Sequence, residues 1–248
     1  MDKAVERWRS DRMQQDITLA RWGHFGVPVL AFPTAGGDAE EVERHHLVGH
    51  LAPLIEDGRI KLYSCDSVAG KAMTADNGRG AGDAAYRCWL FNQFQQAVAH
   101  EVVPAIQADT GGPNAGPNPV IVAGASIGAF NALALVSRYP ELFRAAVCMS
   151  GTYDVERFIG GFTDDLFFSS PVHFLPGLEG PALDALRQRF VVLASGSGQW
   201  EDVGESWRAA GVLGEKGVPN RVDDWGPQYD HDWPTWWQML PEYLEQLT

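Results

Sequence analysis

Cysteine is scarce in this chain, which holds only Cys65, Cys88 and Cys148 in 248 residues. Their spacings match no paired metal-binding motif and their odd number leaves at least one thiol over, so neither a disulfide framework nor a cysteine-ligated metal is expected. Two of the three fall in apolar strand-like or helix-like stretches, where a reduced cysteine packs as a small hydrophobe. Basic charge is short as well: 19 Lys and Arg stand against 32 Asp and Glu, a formal net charge of −13. Binding that works by neutralising phosphates needs clustered cations, so nucleic acid is not an expected partner. The same acidity disfavours anionic membrane surfaces. No apolar run approaches the ~20 residues that a membrane-spanning helix needs. The opening MDKAVERWRSDRMQQD has no apolar segment or small-residue cleavage site of a secretory signal, so a soluble, cytoplasmic protein without membrane partners is expected.

What is present is enough apolar residue, 45%, with ordinary charge, 21%, to build a sizeable core and to exclude disorder. The length fits one domain over 1–248. Short apolar runs alternate with longer amphipathic segments, the pattern of an α/β fold with a mostly parallel sheet flanked by helices. Strands are expected at ITLARW (17–22), PVLAFPT (28–34), RIKLYSCDS (59–67), NPVIVAGAS (118–126), RAAVCMSG (144–151), FVVLASG (190–196) and NRVDDWG (220–226). The first two lie close together across Gly23 to Gly26 and are expected to pair as an antiparallel hairpin at one edge. Helices are expected over Ala39–Glu56, Tyr86–Ala108, Pro181–Arg189, Ser206–Lys216 and Pro234–Gln246, and GGPNAGPNP (111–119) reads as a turn.

Gly124-Ala125-Ser126-Ile127-Gly128 spells G-x-S-x-G between an apolar strand and a helix of small residues. That context makes Ser126 a nucleophile on a sharp strand-to-helix turn, with glycines on both sides because side chains there would strike the neighbouring elements. The Ile127 N–H, at the start of the helix, is aimed at a developing oxyanion. A serine hydroxyl needs a histidine base, and in this arrangement the chain order is Ser, acid, His, which leaves His173 and His231. His173 comes too soon after the serine for an acid-bearing strand to intervene and reads as structural or pocket-lining. His231 follows the expected last strand, with Asp232 and Pro234 placed to open the last helix.

The acid is expected after FVVLASG, in SGSGQWED, where Glu201 is preferred and Asp202 is its alternative. Asp223, Asp224 and Asp230 are further candidates, the first two expected on the final strand. The second oxyanion donor is expected in AFPTAGGD (31–38), from the N–H of Ala35 or, alternatively, Gly36. Trp200, Trp225, Trp233, Trp236 and Trp237 flank these positions; most are expected to pack the core and one or two to line an acyl or aryl pocket. The stretch from Gly151 to Gly180 is too short for a large lid, which favours small esters.

With these residues in hand, the chain resembles the "Putative esterase" family of α/β-hydrolases, the group of esterase D, S-formylglutathione hydrolase and the antigen 85 mycolyltransferases. The similarity lies in GASIG at Ser126, EVVPAI (101–106), WRAAGVLGEKGVPN (207–220) and the ending YDHDWPTWWQMLPEYL (229–244). Where the family often carries an Asp after a Gly-rich turn, the match here falls on Trp200 or Glu201. The resemblance implies an α/β-hydrolase fold, a triad of Ser126, an acid in SGSGQWED and His231, and hydrolysis of short-chain or aryl esters. No metal or organic cofactor is required by this chemistry. The expected partner is a small-molecule ester, and a homo-oligomer is left open. A thioesterase or acyltransferase on the same triad, or an inactive α/β-hydrolase serving as a binding module, are the other readings.

Overall fold

The computed structural model describes residues 2–67, 84–111 and 119–248, so most of the expected turn at 111–119 lies outside the described residues. Eight strands form one sheet in the order β1-β2-β4-β3-β5-β6-β7-β8. They are β1 (Lys3–Ser10), β2 (Gln15–Trp22), β3 (Val27–Phe32), β4 (Ile60–Cys65), β5 (Val120–Ala125), β6 (Phe143–Met149), β7 (Phe190–Ser195) and β8 (Asn220–Asp224). Every pairing from β4 to β8 is parallel, as the apolar runs require: Leu30, Val120 and Val122 pack into the core on one face, while Val29, Ile121 and Ala123 pack on the other.

The expected hairpin between 17–22 and 28–34 does not form. β2 pairs antiparallel with β1 on one side and with β4 on the other, while β3 lies between β4 and β5. The connection through Gly23 and Gly26 passes the start of β4 instead of folding back: Val27 N–H donates to Arg59 O at 2.9 Å, and a Cβ on Gly26 would stand 2.6 Å from the Ile60 carbonyl carbon. That close passage lets β3, buried from Pro28 to Phe32, reach a central position with parallel neighbours on both sides. β1 was not expected at all, because KAVERWRS carries charge on an exposed edge strand rather than an apolar run.

The chain leaves β3 in one direction to make β4 and returns to the other side to make β5. The crevice at the carboxyl ends of β3 and β5 is therefore a topological switch point, the place where open parallel sheets bind ligands.

One helix was expected over Ala39–Glu56. The structure breaks it into α1 (Glu41–Arg44), α2 (Leu47–His50) and α3 (Ala52–Glu56), because His46 sits in the left-handed region at φ 64° and Pro53 opens the third piece. The expected helix over Tyr86–Ala108 is present as α4 (Ala84–Ala97) and α5 (Val103–Thr110), joined by a wide π-helical turn at Val98–Val102. Pro104 has no N–H and would strike the carbonyl four residues back in a regular helix, which the wide turn relieves.

After β5 comes α6 (Ile127–Arg138), and after β6 the short α7 (Glu156–Ile159), α8 (Asp164–Ser169) and α9 (Pro171–Phe174), which sequence patterning did not reveal. α7 and α8 fold down onto α4 rather than forming a large lid. α10 (Gly180–Leu186), α11 (Val203–Glu215) and α12 (Trp233–Leu247) lie where helices were expected, within a few residues. Phe91, Phe94 and Phe130 centre the core on one face of the sheet, and Trp236, Met239, Leu240 and Leu244 of α12 close the other. Each such side chain, fully buried, stabilises the fold by about 2–3 kcal/mol. No helix among the described residues is long and apolar enough to cross a membrane.

Candidate active site

Ser126 stands between β5 and α6 at φ 58° and ψ −121°, a conformation that L residues rarely adopt. The backbone holds it there: its N–H donates to Met149 O of β6 at 3.0 Å and its carbonyl accepts from Ala129 at 3.1 Å. The flanking glycines are required as expected. A Cβ on Gly124 would run into the Gly128 backbone, and one on Gly128 would lie 2.6 Å from the carbonyl oxygen of Phe32 in β3. The turn is thus packed against both neighbouring strands. Ile127 begins α6, so its N–H precedes the first intrahelical hydrogen bond.

Across the switch point, Thr34 to Gly37 form a tight turn closed by the Gly37 N–H on Thr34 O at 3.1 Å, with Gly36 at φ 74°. The buried Glu41 carboxylate anchors it by accepting from the Thr34 N–H at 2.7 Å and the Thr34 hydroxyl at 2.9 Å. Two of the loop's N–H groups are thereby engaged. Those of Ala35 and Gly36, both exposed, have no hydrogen bond among the described residues, so both expected donors are free to meet an oxygen.

His231 lies in the loop between β8 and α12, and Glu201 in the loop between β7 and α11. These loops continue the pairing of β7 with β8: Ser197 N–H bonds Gly226 O at 3.0 Å, Gly198 N–H bonds Tyr229 O at 3.0 Å, and His231 N–H bonds Gln199 O at 3.0 Å. Asp230 adds a side-chain link by accepting from the Gln199 N–H at 2.6 Å. The zipped loops bring Glu201 Oε2 to 3.6 Å from His231 Nδ1. That is just beyond hydrogen-bond length, the looser contact common in a substrate-free site. The Glu201 side chain is wholly buried and that of His231 is 24% exposed. Glu201 also accepts from the hydroxyls of Ser150 and, at 3.0 Å, Ser195.

The neighbouring acids have different work. Asp202 caps α11 by accepting from Gly204 at 2.9 Å, and Asp232 caps α12 by accepting from Trp233 at 2.7 Å. Asp223 accepts from Tyr243 at 2.9 Å and pairs with Arg221, while Asp224 accepts from Gly226 at 2.9 Å. His173 bonds Ser170 through Nδ1 at 2.8 Å and packs on Phe162, in a structural role in α9.

Ser126 Oγ makes no hydrogen bond to His231 among the described residues. The two belong to one rim nonetheless: Ala125, which precedes Ser126, and Trp233 and Trp236, which follow His231, line the same small apolar cavity with Phe32 and Met149. Trp236 meets the His231 ring edge-on at 5.3 Å and 86°. Trp225 donates to Tyr243, Trp237 donates to His45 O, and Trp200 is 83% exposed, so the tryptophans divide between anchoring α12, lining the cavity and facing solvent. Sequence reasoning missed Ser150 and Ser195. Both are single serines at the carboxyl ends of strands, and only the parallel register of β6 and β7 brings them to Glu201. Three of the five non-glycine residues with positive φ among the described residues, Ser126, Ser150 and Trp200, cluster here. No group of three His, Cys, Asp or Glu among the described residues is arranged to hold a metal ion.

In comparisons with known proteins, no curated protein matches the sequence. Among solved structures, a ferulic acid esterase superposes with a TM-score of 0.72 at 15% identity, covering 100% of this chain and 97% of its own. An S-formylglutathione hydrolase from Agrobacterium tumefaciens gives 0.69 at 12% identity, covering 98% and 93%. A fluorophosphonate-binding serine hydrolase of Staphylococcus aureus gives 0.64 at 12% identity, covering 99% and 98%. At these identities the likeness is one of fold. The sequence itself matches the family model described as "Putative esterase" over residues 72–240, more than half of the chain. The chain belongs to that esterase family and has the α/β-hydrolase fold.

Proposed function

We propose that the protein hydrolyses short-chain or aryl esters through an acyl-enzyme on Ser126. His231 takes the hydroxyl proton as Ser126 attacks the ester carbonyl, then returns it to the leaving alcohol. Glu201 orients the imidazole and stabilises its cation. The N–H groups of Ile127 and Ala35 receive the oxyanion. Water, activated by His231, then attacks the acyl-enzyme and restores the serine.

The observation that carries this reading is the strained backbone of Ser126 at the switch point, on the same sheet edge as the His231–Glu201 contact. Strain of this kind persists only where packing enforces it, which supports a purpose for the residue held at this turn. Ser126→Ala should lower turnover of an aryl acetate by as much as ~10⁶-fold, as loss of a triad serine does. It should also abolish labelling by a fluorophosphonate probe. Retained turnover would refute the assignment. Comparing ester with thioester turnover in the wild type, and adding alcohol acceptors, separates hydrolysis of esters from the thioesterase and acyltransferase readings.

A further inference from the structure

The two oxygens of the Glu201 carboxylate have different neighbours. Oε2 faces His231 Nδ1 and lies 3.0 Å from Ser195 Oγ; Oε1 accepts from Ser150. The two serines are not equivalent donors. Ser195 Oγ reaches both Gly196 O at 2.8 Å and Glu201 Oε2, and its single proton can serve only one of them. Ser150 has no such choice. It is 2% exposed and follows β6 at φ 49°, and its oxygen accepts the indole N–H of Trp236 at 2.9 Å. With that N–H on a lone pair, the hydroxyl proton is directed at Glu201 Oε1.

Trp236 therefore touches His231 directly, its ring packed edge-on, and is linked to Glu201 through the Ser150 hydroxyl. We propose that Ser150 and Trp236 are positioning residues that lock the Glu201 carboxylate so that its second oxygen faces His231. This rests on the triad reading given above. The strained backbone of Ser150 then has the same kind of purpose as that of Ser126, aiming a hydroxyl from the end of a central strand.

Without the Ser150 hydroxyl, a wholly buried carboxylate loses a donor and becomes free to turn, and the Trp236 N–H loses its acceptor. A carboxylate with fewer donors is a worse anion and holds a proton more tightly. The pair it forms with His231 should then keep its proton to higher pH.

The test is the pH profile of kcat/KM for an aryl acetate in the wild type, Ser126→Ala, Ser150→Ala and Trp236→Phe, with thermal unfolding as the check on folding. Ser150→Ala is expected to lower kcat by about 10- to 100-fold, the range seen when an outer partner of an oriented ligand is lost, and to leave KM within about twofold. Its acid limb should move to higher pH. Trp236→Phe keeps an aromatic ring beside His231 while removing the N–H along with part of the indole, so it should shift the limb in the same direction with a smaller fall in kcat, and thermal unfolding reads the cost of the lost volume separately. If Ser126→Ala retains turnover, the triad reading fails and this inference with it. If Ser126→Ala is dead while Ser150→Ala keeps the wild-type limb, the positioning role alone is overturned, whether or not kcat falls. Should Ser150→Ala not fold, an unshifted limb in Trp236→Phe overturns the role.

Discussion

Glu201 and Asp202 are adjacent carboxylates with opposite fates. Trp200 enters the left-handed region at φ 66°, and the turn sends Glu201 inward beneath His231 while Asp202 faces solvent at the start of α11. Two substitutions separate their roles. Glu201→Gln leaves an amide that cannot stabilise the imidazolium, and kcat should fall by roughly 10⁴-fold, as it does when a triad aspartate becomes its amide. Asp202→Ala should leave kcat unchanged and cost about 1 kcal/mol of stability through the lost helix cap. Steady-state kinetics with denaturant unfolding reads both. Equal losses of activity would make Asp202 part of the site. At this scale the sequence was legible in where Ser126 and His231 fall in the chain, the one at a strand-to-helix turn and the other in the loop before the last helix. It favoured Glu201 over Asp202, but the dihedral at Trp200 that turns Glu201 inward was not itself readable. The partners of that carboxylate, Ser150 and Ser195, were hidden for a related reason, since only strand register relates them to a residue on another loop.

At the scale of elements, β3, β5, β6 and β7 could be read directly because strands buried on both faces are continuous apolar runs. Their order in the sheet could not. The placement of β3 depends on how tightly Gly26 passes Ile60, and β1 is a charged edge strand whose evidence is its pairing with β2 rather than its own pattern. The loops after β7 and β8 show the same dependence on close approach. A Cβ on Gly198 would lie 2.7 Å from Tyr229 O and collide with the Asp230 carboxylate. Gly198→Ala should therefore push the Glu201 loop away from the His231 loop without disturbing either core. A displacement of about 1 Å between reacting groups costs on the order of 10²-fold in rate. The expected result is such a loss in kcat with little change in melting temperature. A variant with full activity would mean that the zipper between the loops does not set the Glu201–His231 contact.

For the molecule as a whole, the joint between the antiparallel edge and the helical layer is an ion cluster at the amino end of β4, away from the carboxyl ends of the parallel strands. Asp109 near the end of α5 meets Lys61 of β4 at 2.7 Å, the Tyr63 hydroxyl at 2.6 Å and the Arg21 guanidinium of β2. Lys61 is only 3% exposed, so Asp109 is what makes a buried ammonium tolerable in the sheet. Burial alone would raise the Asp109 pKa, but the hydrogen bonds from Lys61 and Tyr63 and the charge of Lys61 outweigh it and hold the carboxyl below its ordinary value. Burial, together with the bond to Asp109, pushes the Tyr63 phenol well above its own, so it stays a donor. A carboxyl depressed in the folded state contributes stability that is complete above its unfolded pKa and lost as pH falls through its folded one. Asp109→Asn strands Lys61 at every pH. The variant should be less stable than the wild type by about 2–3 kcal/mol at pH 7, below the ~3–5 kcal/mol of a fully buried pair because Asp109 keeps 23% of its side chain exposed. As pH falls, the wild-type carboxyl takes up its proton and comes to resemble the amide. The difference in unfolding free energy between the two proteins should therefore stay constant from pH 7 down to the ordinary carboxylate range, about 4, and shrink only below it, as the pH falls toward the depressed pKa of Asp109, in denaturant titrations. A gap that stayed constant below pH ~4 as well, down to ~2, would mean that the ionised carboxylate is not what joins the edge strands to α5.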